Sequence, residues 1–138
     1  MAIQYSTTLR NNQLDQIEVT AGTSAKFRLY SGSIPANCAA VATGTLLCEM
    51  SLPSDWMNAA SGGTKTLLGT WSGTGEAAAG AGTAAGYFRL LDSSGATTHV
   101  QGTVTITGGG GDLTVDNPSI ANAQVVTISA FTVTALNA

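Results

Sequence analysis

The sequence predicts an all-β fold: an antiparallel β-sandwich, jelly-roll or immunoglobulin-like, of about seven strands, with a short N-terminal helix or arm. Short segments of alternating apolar and polar residues recur after Gly22, and Gly, Pro, Asp and Asn separate them at short intervals. The first 21 residues differ, because their apolar residues follow a helical spacing. We therefore divide the chain into a helical arm, residues 1–21, and a sandwich domain, residues 22–138.

The N-terminal arm is expected to be helical from Ser6 to Ala21. The Ser6 hydroxyl can accept a hydrogen bond from a free backbone N–H of the first turn, and Gly22 suits a helix end. The apolar residues of the arm are too sparse to make a core, so we expect them to form an interface with a neighbouring protein. The alternative is that they cap the open end of the chain's own sandwich. These residues are Ile3, Tyr5, Leu9, Leu14 and Ile17.

Four segments show the alternation of a strand with one buried face. They are residues 26–30, 45–52, 86–91 and 97–107. Residues 32–44, which contain Pro35, are expected to form a loop. The glycine-rich turn at 108–111 is followed by a short strand at 112–116.

Three further segments are harder to interpret. Residues 64–71 predict a strand, and the Gly/Ala-rich residues 72–86 predict an extended or mobile loop. Residues 124–136 predict one long strand with apolar residues on both faces. Since only one face can serve the sandwich core, the other face needs cover. This pattern predicts a homo-oligomer, with a trimer as the first choice.

Composition excludes several classes of function. Charged residues make up 9% of the chain, against about 25% in typical proteins. Five basic residues cannot form a patch that neutralises several phosphates, so we expect no nucleic-acid partner. No apolar run is long enough to span a bilayer, which predicts no membrane segment. The first five residues lack the charged and apolar regions of a secretory signal.

No motif predicts an enzyme. Residues 73–78 match the dinucleotide pattern G-x-G-x-x-A, but no helix is expected after them, so they predict a loop. His99 is the only histidine and has no nucleophile motif to serve. Asp112 and Asp116 lack the pattern of a calcium loop. We expect no catalytic residues, no cofactor and no metal site.

The two cysteines and two tryptophans allow alternatives. Cys38 and Cys48 are expected to be reduced thiols. The alternative is a disulfide that closes the short loop between them. Trp56 and Trp71 are expected to be structural anchors. The alternative is that they form a platform for stacking sugars, as aromatic residues do in glycan-binding sandwiches.

Eight short segments spread over most of the chain form a further pattern. They are LRNNQLD (9–15), FRLYSG (27–32), PANCAA (35–40), GTLL (44–47), LPSDW (52–56), YFRL (87–90), VQG (100–102) and GGGDL (109–113). This pattern resembles a family of small structural proteins of tailed-bacteriophage and prophage virions. The resemblance implies a non-enzymatic virion component, and we expect a capsid decoration, or cement, protein that docks on the major capsid protein. It would be made in the cytoplasm of the bacterial host and located on the capsid surface. The alternatives are a tail, neck or fibre component that binds other virion proteins, and a glycan-binding β-sandwich module.

Overall fold

The structure, a computed structural model, describes residues 3–138. The predicted all-β fold with a short N-terminal helix is confirmed, with ten strands in place of about seven. The elements are α1 Thr7–Ala21, β1 Lys26–Ser31, β2 Leu46–Ser51, β3 Thr64–Thr66, β4 Trp71–Gly75, a 3-10 helix Ala77–Ala79, β5 Thr83–Leu91, β6 Thr98–Ile106, β7 Leu113–Val115, β8 Ser119–Ile120, β9 Val125–Ile128 and β10 Thr132–Thr134.

Eight strands form a large sheet and two form a small sheet. The order of the large sheet is β7-β6-β5-β1-β2-β4-β9, and β8 pairs with the start of β5. The small sheet pairs β10 with β3. Helix α1 contacts β3 and β6, so it lies against the body of the molecule.

One pair of strands departs from the predicted antiparallel arrangement. Strand β7 runs parallel to β6, with Val104 opposite Leu113. The glycine turn at 108–111 explains this, because Gly108 and Gly110 adopt positive φ angles that reverse the chain. The reversed chain reaches back to Thr103, which Asp112 contacts, before β7 runs forward again.

The prediction for residues 64–86 is wrong in its boundaries. The strand expected at 64–71 is two pieces, because β3 ends at Thr66 and Trp71 begins β4. The expected Gly/Ala-rich loop contains most of β4 and the start of β5. Its glycines allow close packing: a Cβ atom on Gly73 would lie 2.5 Å from the Glu49 carbonyl oxygen, and one on Gly75 would lie 2.0 Å from that of Ala121. The segment pairs with β2 and β9, which are distant in sequence.

The long strand predicted at 124–136 is also two strands. The chain leaves the large sheet after Ile128 and enters the small sheet at Thr132. Ile128 and Phe131 are both buried, and Val126 packs against the same core. The chain's own core therefore covers most of the apolar residues that we expected a second subunit to cover, and the apolar pattern on two faces does not by itself require a second subunit. Val125 and Leu136 of this segment remain exposed.

Helix α1 begins and ends where the sequence predicts. The Leu9 backbone N–H donates to Ser6 Oγ at 3.2 Å. At the other end, Gly22 has a φ of 81° and its N–H donates to the Glu18 carbonyl oxygen at 2.7 Å. Positive φ is easy only for glycine, so Gly22 ends the helix at low conformational cost.

The core lies on one face of the large sheet, which we call the inner face. It carries Phe27 and Leu29 of β1, whereas Arg28 and Tyr30 point to the opposite, outer face. All three phenylalanines and both tryptophans of the chain form a single cluster there, with neighbouring ring centroids 5.1–5.9 Å apart. The cluster comprises Phe27, Trp56, Trp71, Phe88 and Phe131.

Candidate functional site

The five predicted interface residues of the arm divide into two groups. Leu14 is buried against the body of the chain, and Ile17 packs against its core. Ile3 and Leu9 remain exposed, and Tyr5 is partly exposed. Only these three residues of the set are available to a neighbouring protein while α1 stays docked.

Helix α1 is attached largely by polar contacts. Lys65 of β3, only 2% exposed, places its Nζ 2.8 Å from Asp15 Oδ1 and 2.9 Å from Glu18 Oε2. Burial lowers the pKa of Lys65, but hydrogen bonds to Asp15 and Glu18 outweigh it and raise the pKa above the ordinary 10.5. The hydrogen bond from Lys65 and that from the Ala60 backbone hold the pKa of Asp15 below 3.8. The charged forms of Lys65 and Asp15 are thus favoured.

The same helix face also binds the backbone of the segment before β3. Glu18 Oε1 accepts from the N–H groups of Trp56 at 3.0 Å and Met57 at 2.8 Å. Asn11 Oδ1 accepts from the Gly63 N–H at 2.8 Å. Residues 11, 15 and 18 follow a helical spacing of four and three, so they share a face. The apolar spacing of the arm does not reveal this face, because all three of its residues are polar.

The two ends of the described chain meet at one surface, which we call the terminal corner: residues 3–9 and 135–138. The Tyr5 N–H donates to the Asn137 carbonyl oxygen at 2.7 Å, and the Ala135 N–H donates to that of Gly63 at 2.9 Å. Ile3 and Leu136 are 72% and 77% exposed there. The corner therefore presents apolar side chains on a backbone held by hydrogen bonds.

Trp56 and Trp71 are both fully buried in the aromatic cluster. Trp56 Nε1 donates to the Gly22 carbonyl oxygen at 3.0 Å, and Trp71 Nε1 donates to the Trp56 carbonyl oxygen at 3.1 Å. Their rings and indole N–H groups are both occupied within the fold. Neither tryptophan offers a ring face on which a sugar can stack.

The outer face of the large sheet carries a row of polar side chains across four neighbouring strands. Register places Glu49 of β2 opposite Arg28 of β1, Arg28 opposite Arg89 of β5, and Arg89 opposite Gln101 of β6. Arg28 Nε donates to Glu49 Oε2 at 2.6 Å. Lys26 Nζ also lies 3.3 Å from Glu49 Oε1.

The ion pairs of this row shift two pKa values. Burial lowers the pKa of Arg28, but its hydrogen bond to Glu49 helps raise it above its ordinary value. Burial likewise raises the pKa of Glu49, but Arg28 and then Lys26 hold it below 4.5. Both groups therefore stay charged across the neutral pH range, and Arg89 receives no share of this pairing.

Residues 32–45 form a loop over this row, which we call the covering loop. Gln101 Nε2 donates to the Pro35 carbonyl oxygen at 2.8 Å. The Tyr87 hydroxyl accepts from the Thr43 N–H at 2.9 Å and donates to the Thr43 carbonyl oxygen. Between this loop and the turn at 95–98 lies an open cleft of about 530 Å³, lined also by Arg28 and Arg89.

The two cysteines lie on opposite faces of the sheet and are free thiols. Cys48 is buried in the core opposite Leu29, and burial raises its pKa to about 11. Cys38 is partly exposed and lines the outer cleft with Arg28. Because Cys48 of β2 faces the core and Cys38 of the loop lines the outer cleft, the sheet separates the two thiols and no disulfide joins them.

The residues considered for metal or acid–base chemistry have structural partners or stand apart. Asp112 Oδ2 accepts from the backbone and hydroxyl of Thr103, and Asp116 Oδ1 accepts from the Thr107 hydroxyl. His99 lies beside α1, far along β6 from these turns. Within residues 3–138, no three His, Cys, Asp or Glu side chains are grouped as metal ligands.

The helical part of that same range includes no segment long and apolar enough to cross a membrane.

Comparison with other proteins identifies no relative. No protein-family model, no curated protein and no solved structure matches this chain. The features available for inferring function are therefore its own residues: the terminal corner and the outer cleft.

Proposed function

We propose that this protein is a structural, non-enzymatic component of a tailed-bacteriophage virion, and that it decorates the capsid by docking on the major capsid protein. The proposal rests on the resemblance of the sequence pattern along most of the chain to small virion structural proteins. The low charge also supports it. A surface with few charges has little ionic desolvation to overcome when it is buried in a repeated contact.

The terminal corner is the proposed docking surface. Ile3, Leu9 and Leu136 are exposed apolar residues near its hydrogen-bonded chain ends. Because that backbone is already ordered, docking would lose less conformational entropy than docking of a free arm. Each contact would be small, and its repetition over a symmetric capsid would supply avidity.

Self-association, with a trimer as first choice, is part of the proposal. Strand β9 supports it as an edge of the large sheet, and its Val125 is 70% exposed. An edge strand offers backbone groups on one side for pairing with another chain. Light scattering at micromolar concentration should give a mass well above the 13.8 kDa of one chain. A stable monomer across that range would contradict this part.

Docking can be tested with capsids of the parent phage that lack this protein. The purified protein should co-sediment with them, and the double variant Ile3→Asp/Leu136→Asp should lose binding while keeping its melting temperature. Ile106→Asp is the matched control, because Ile106 is 55% exposed at the far end of β6. Equal binding by the double variant and the control would show that the protein does not dock through the terminal corner.

The copy number in the virion separates decoration from the alternative position. A decoration protein should be present in numbers comparable to the major capsid protein. A tail, neck or fibre component should be present in a few copies at a symmetry axis. Quantitative mass spectrometry of purified virions measures this ratio, and complete absence from the particle would refute the virion role altogether.

A further inference from the structure

Arg89 on the outer face is a buried arginine without a counter-charge. It is 4% exposed, and within residues 3–138 it forms no ion pair. Its Nε has no hydrogen-bond partner. Its Nη1 and Nη2 reach the Thr98 hydroxyl at 3.5 Å and the Asn37 carbonyl oxygen at 3.4 Å. Such contacts are longer than the usual ~2.7–3.2 Å, so the guanidinium is poorly compensated for its burial.

The neighbours of Arg89 across the sheet increase this imbalance. Arg28 lies directly opposite on one side, and the neutral Gln101 lies opposite on the other. Like charges in directly opposite positions destabilise a sheet. Arg28 has Glu49 as its partner, 2.6 Å away, but Glu49 is shared with Lys26 and leaves nothing for Arg89. The row therefore lacks at least one negative charge.

An anionic ligand that supplies the missing charge has a cleft in which to bind. Arg89 lines the cleft of about 530 Å³ between the covering loop and the turn at 95–98. Among the described residues that line this cleft, none is acidic. The cleft is open to solvent, so a ligand can enter without unfolding the loop.

We propose that this cleft binds a carboxylate group, held by the guanidinium of Arg89. The two oxygens of a planar carboxylate match two parallel N–H donors of a guanidinium, and such charge-assisted bonds are stronger than the long contacts that Arg89 makes now. Arg28 adds long-range attraction but few donors, because its Nε is bonded to Glu49 and its Nη1 to the Gly95 carbonyl oxygen.

A phosphate group fits this site less well. A phosphate presents three oxygens and a charge of up to about −2, and its binding sites usually offer several convergent donors. Here one guanidinium supplies the weakly bonded donors, and its single charge is balanced by one carboxylate. This inference does not rest on the virion role, since it follows from Arg89 and its surroundings alone.

Cys38 provides a probe in the unmodified protein, because it lines the same cleft and is partly exposed. Cys48 is buried with a raised pKa and should react slowly, so mass spectrometry can assign the label to Cys38. Acetate should slow alkylation of Cys38 by a neutral maleimide relative to chloride at equal ionic strength. At ten times its dissociation constant, acetate should slow the reaction by about ten-fold. The melting temperature should rise over the same concentration range.

Arg89→Met removes the charge and keeps a long side chain, so both effects of acetate should disappear. Arg10→Met is the matched control, because among the described residues Arg10 also has no ion pair, and it lies on α1. This control should respond to acetate as the unmodified protein does. If Arg89→Met fails to fold, the Cys38 measurement on the unmodified protein still decides the question.

A carboxylate could come from a free small acid or from an acidic side chain of a protein. A short peptide with one glutamate and blocked ends, compared with its glutamine counterpart, distinguishes these sources. Protection of Cys38 by the glutamate peptide at lower concentration than acetate identifies a protein side chain, and the reverse order identifies a free acid. The proposal is overturned if neither carboxylate differs from chloride, or if inorganic phosphate protects Cys38 and acetate does not.

Discussion

The inner and outer faces of the large sheet are buried in opposite ways. On the inner face, five aromatic rings pack together with aliphatic side chains, and the indole N–H groups donate to backbone carbonyl oxygens. On the outer face, Tyr30 and Tyr87 stack with centroids 5.0 Å apart, and beside them lies the row of Arg28, Arg89 and their polar partners. The inner face removes apolar area from water, whereas the outer face is covered by a loop that hydrogen bonds hold.

Because of this difference, the inner face mainly stabilises the fold, whereas the outer face is suited to binding a ligand. Apolar burial stabilises the fold without further partners, so the inner face needs no ligand. The outer face leaves polar groups without full compensation, including Arg89 Nε and Gln101 Oε1. Such groups are where a ligand can improve the free energy of the folded state. Substitutions on the inner face should therefore change mainly stability, and substitutions on the outer face should change mainly loop motion and ligand response.

The largest effect is expected on the inner face. Trp56→Ala should lower the free energy of unfolding by ~3–5 kcal/mol, because it removes a fully buried indole from the aromatic cluster. Urea unfolding measures this loss. Trp56→Phe keeps a ring and should lose less, and Val41→Ala on the covering loop should stay within ~0.5 kcal/mol. A Trp56→Ala protein as stable as the original would mean that the ring is exposed in solution.

The second largest loss of stability is expected when the polar attachment of α1 is removed. Lys65→Met should lower the free energy of unfolding by ~1–3 kcal/mol, because Asp15 and Glu18 then lose their buried counter-charge. Lys26→Met is the control, since Lys26 is a more exposed cation in a shared ion pair. Equal losses for the two variants would show that burial of Lys65 adds nothing to its pairing.

A smaller effect on stability is expected from the covering loop. Tyr87→Phe removes both hydrogen bonds with the Thr43 backbone and should lower the free energy of unfolding by ~0.5–1.5 kcal/mol. Its larger consequence should be faster alkylation of Cys38, because the loop that carries this thiol loses a tether. Thr127→Val is a control on another part of the outer surface. An unchanged Cys38 rate would show that Tyr87 does not hold the loop.

The smallest effect is the acid dependence of the ion pairs. The pKa values of Glu49 and Asp15 lie below 4.5 and 3.8 in the folded protein, so the unfolded chain binds more protons as the pH falls through this range. Their contribution is present above about pH 4.5 and should decline as the pH falls through the lowered values, by ~0.2–1 kcal/mol for each of these two partly exposed carboxylates. Urea unfolding between about pH 3 and 7 measures it. Glu49→Gln should remove the contribution of Glu49 to the pH dependence of the free energy of unfolding. An unchanged pH dependence would contradict the pairing of Glu49 with Arg28.

The sequence by itself determined the elements whose causes are local. The alternation in residues 26–30 predicts β1 because successive side chains of a strand point to opposite faces. Ser6 and Gly22 mark the ends of α1 because capping involves groups within one turn of each other. Those same local signals were enough to predict the all-β class. They also indicated that the arm has too few apolar residues to stand alone.

Only the tertiary structure decided the features that depend on distant neighbours. Gly73 and Gly75 look like a flexible segment in the sequence, but they lie in β4, paired with β2 and β9. There the backbones of Glu49 and Ala121 approach too closely for any side chain. Residues 124–136 keep one apolar pattern, but the chain bends after Ile128 so that two faces can share one core. The imbalance at Arg89 arises the same way. It depends on the register that brings Arg28 and Arg89 together from strands far apart in sequence. The sequence alone does not reveal that these two arginines are neighbours.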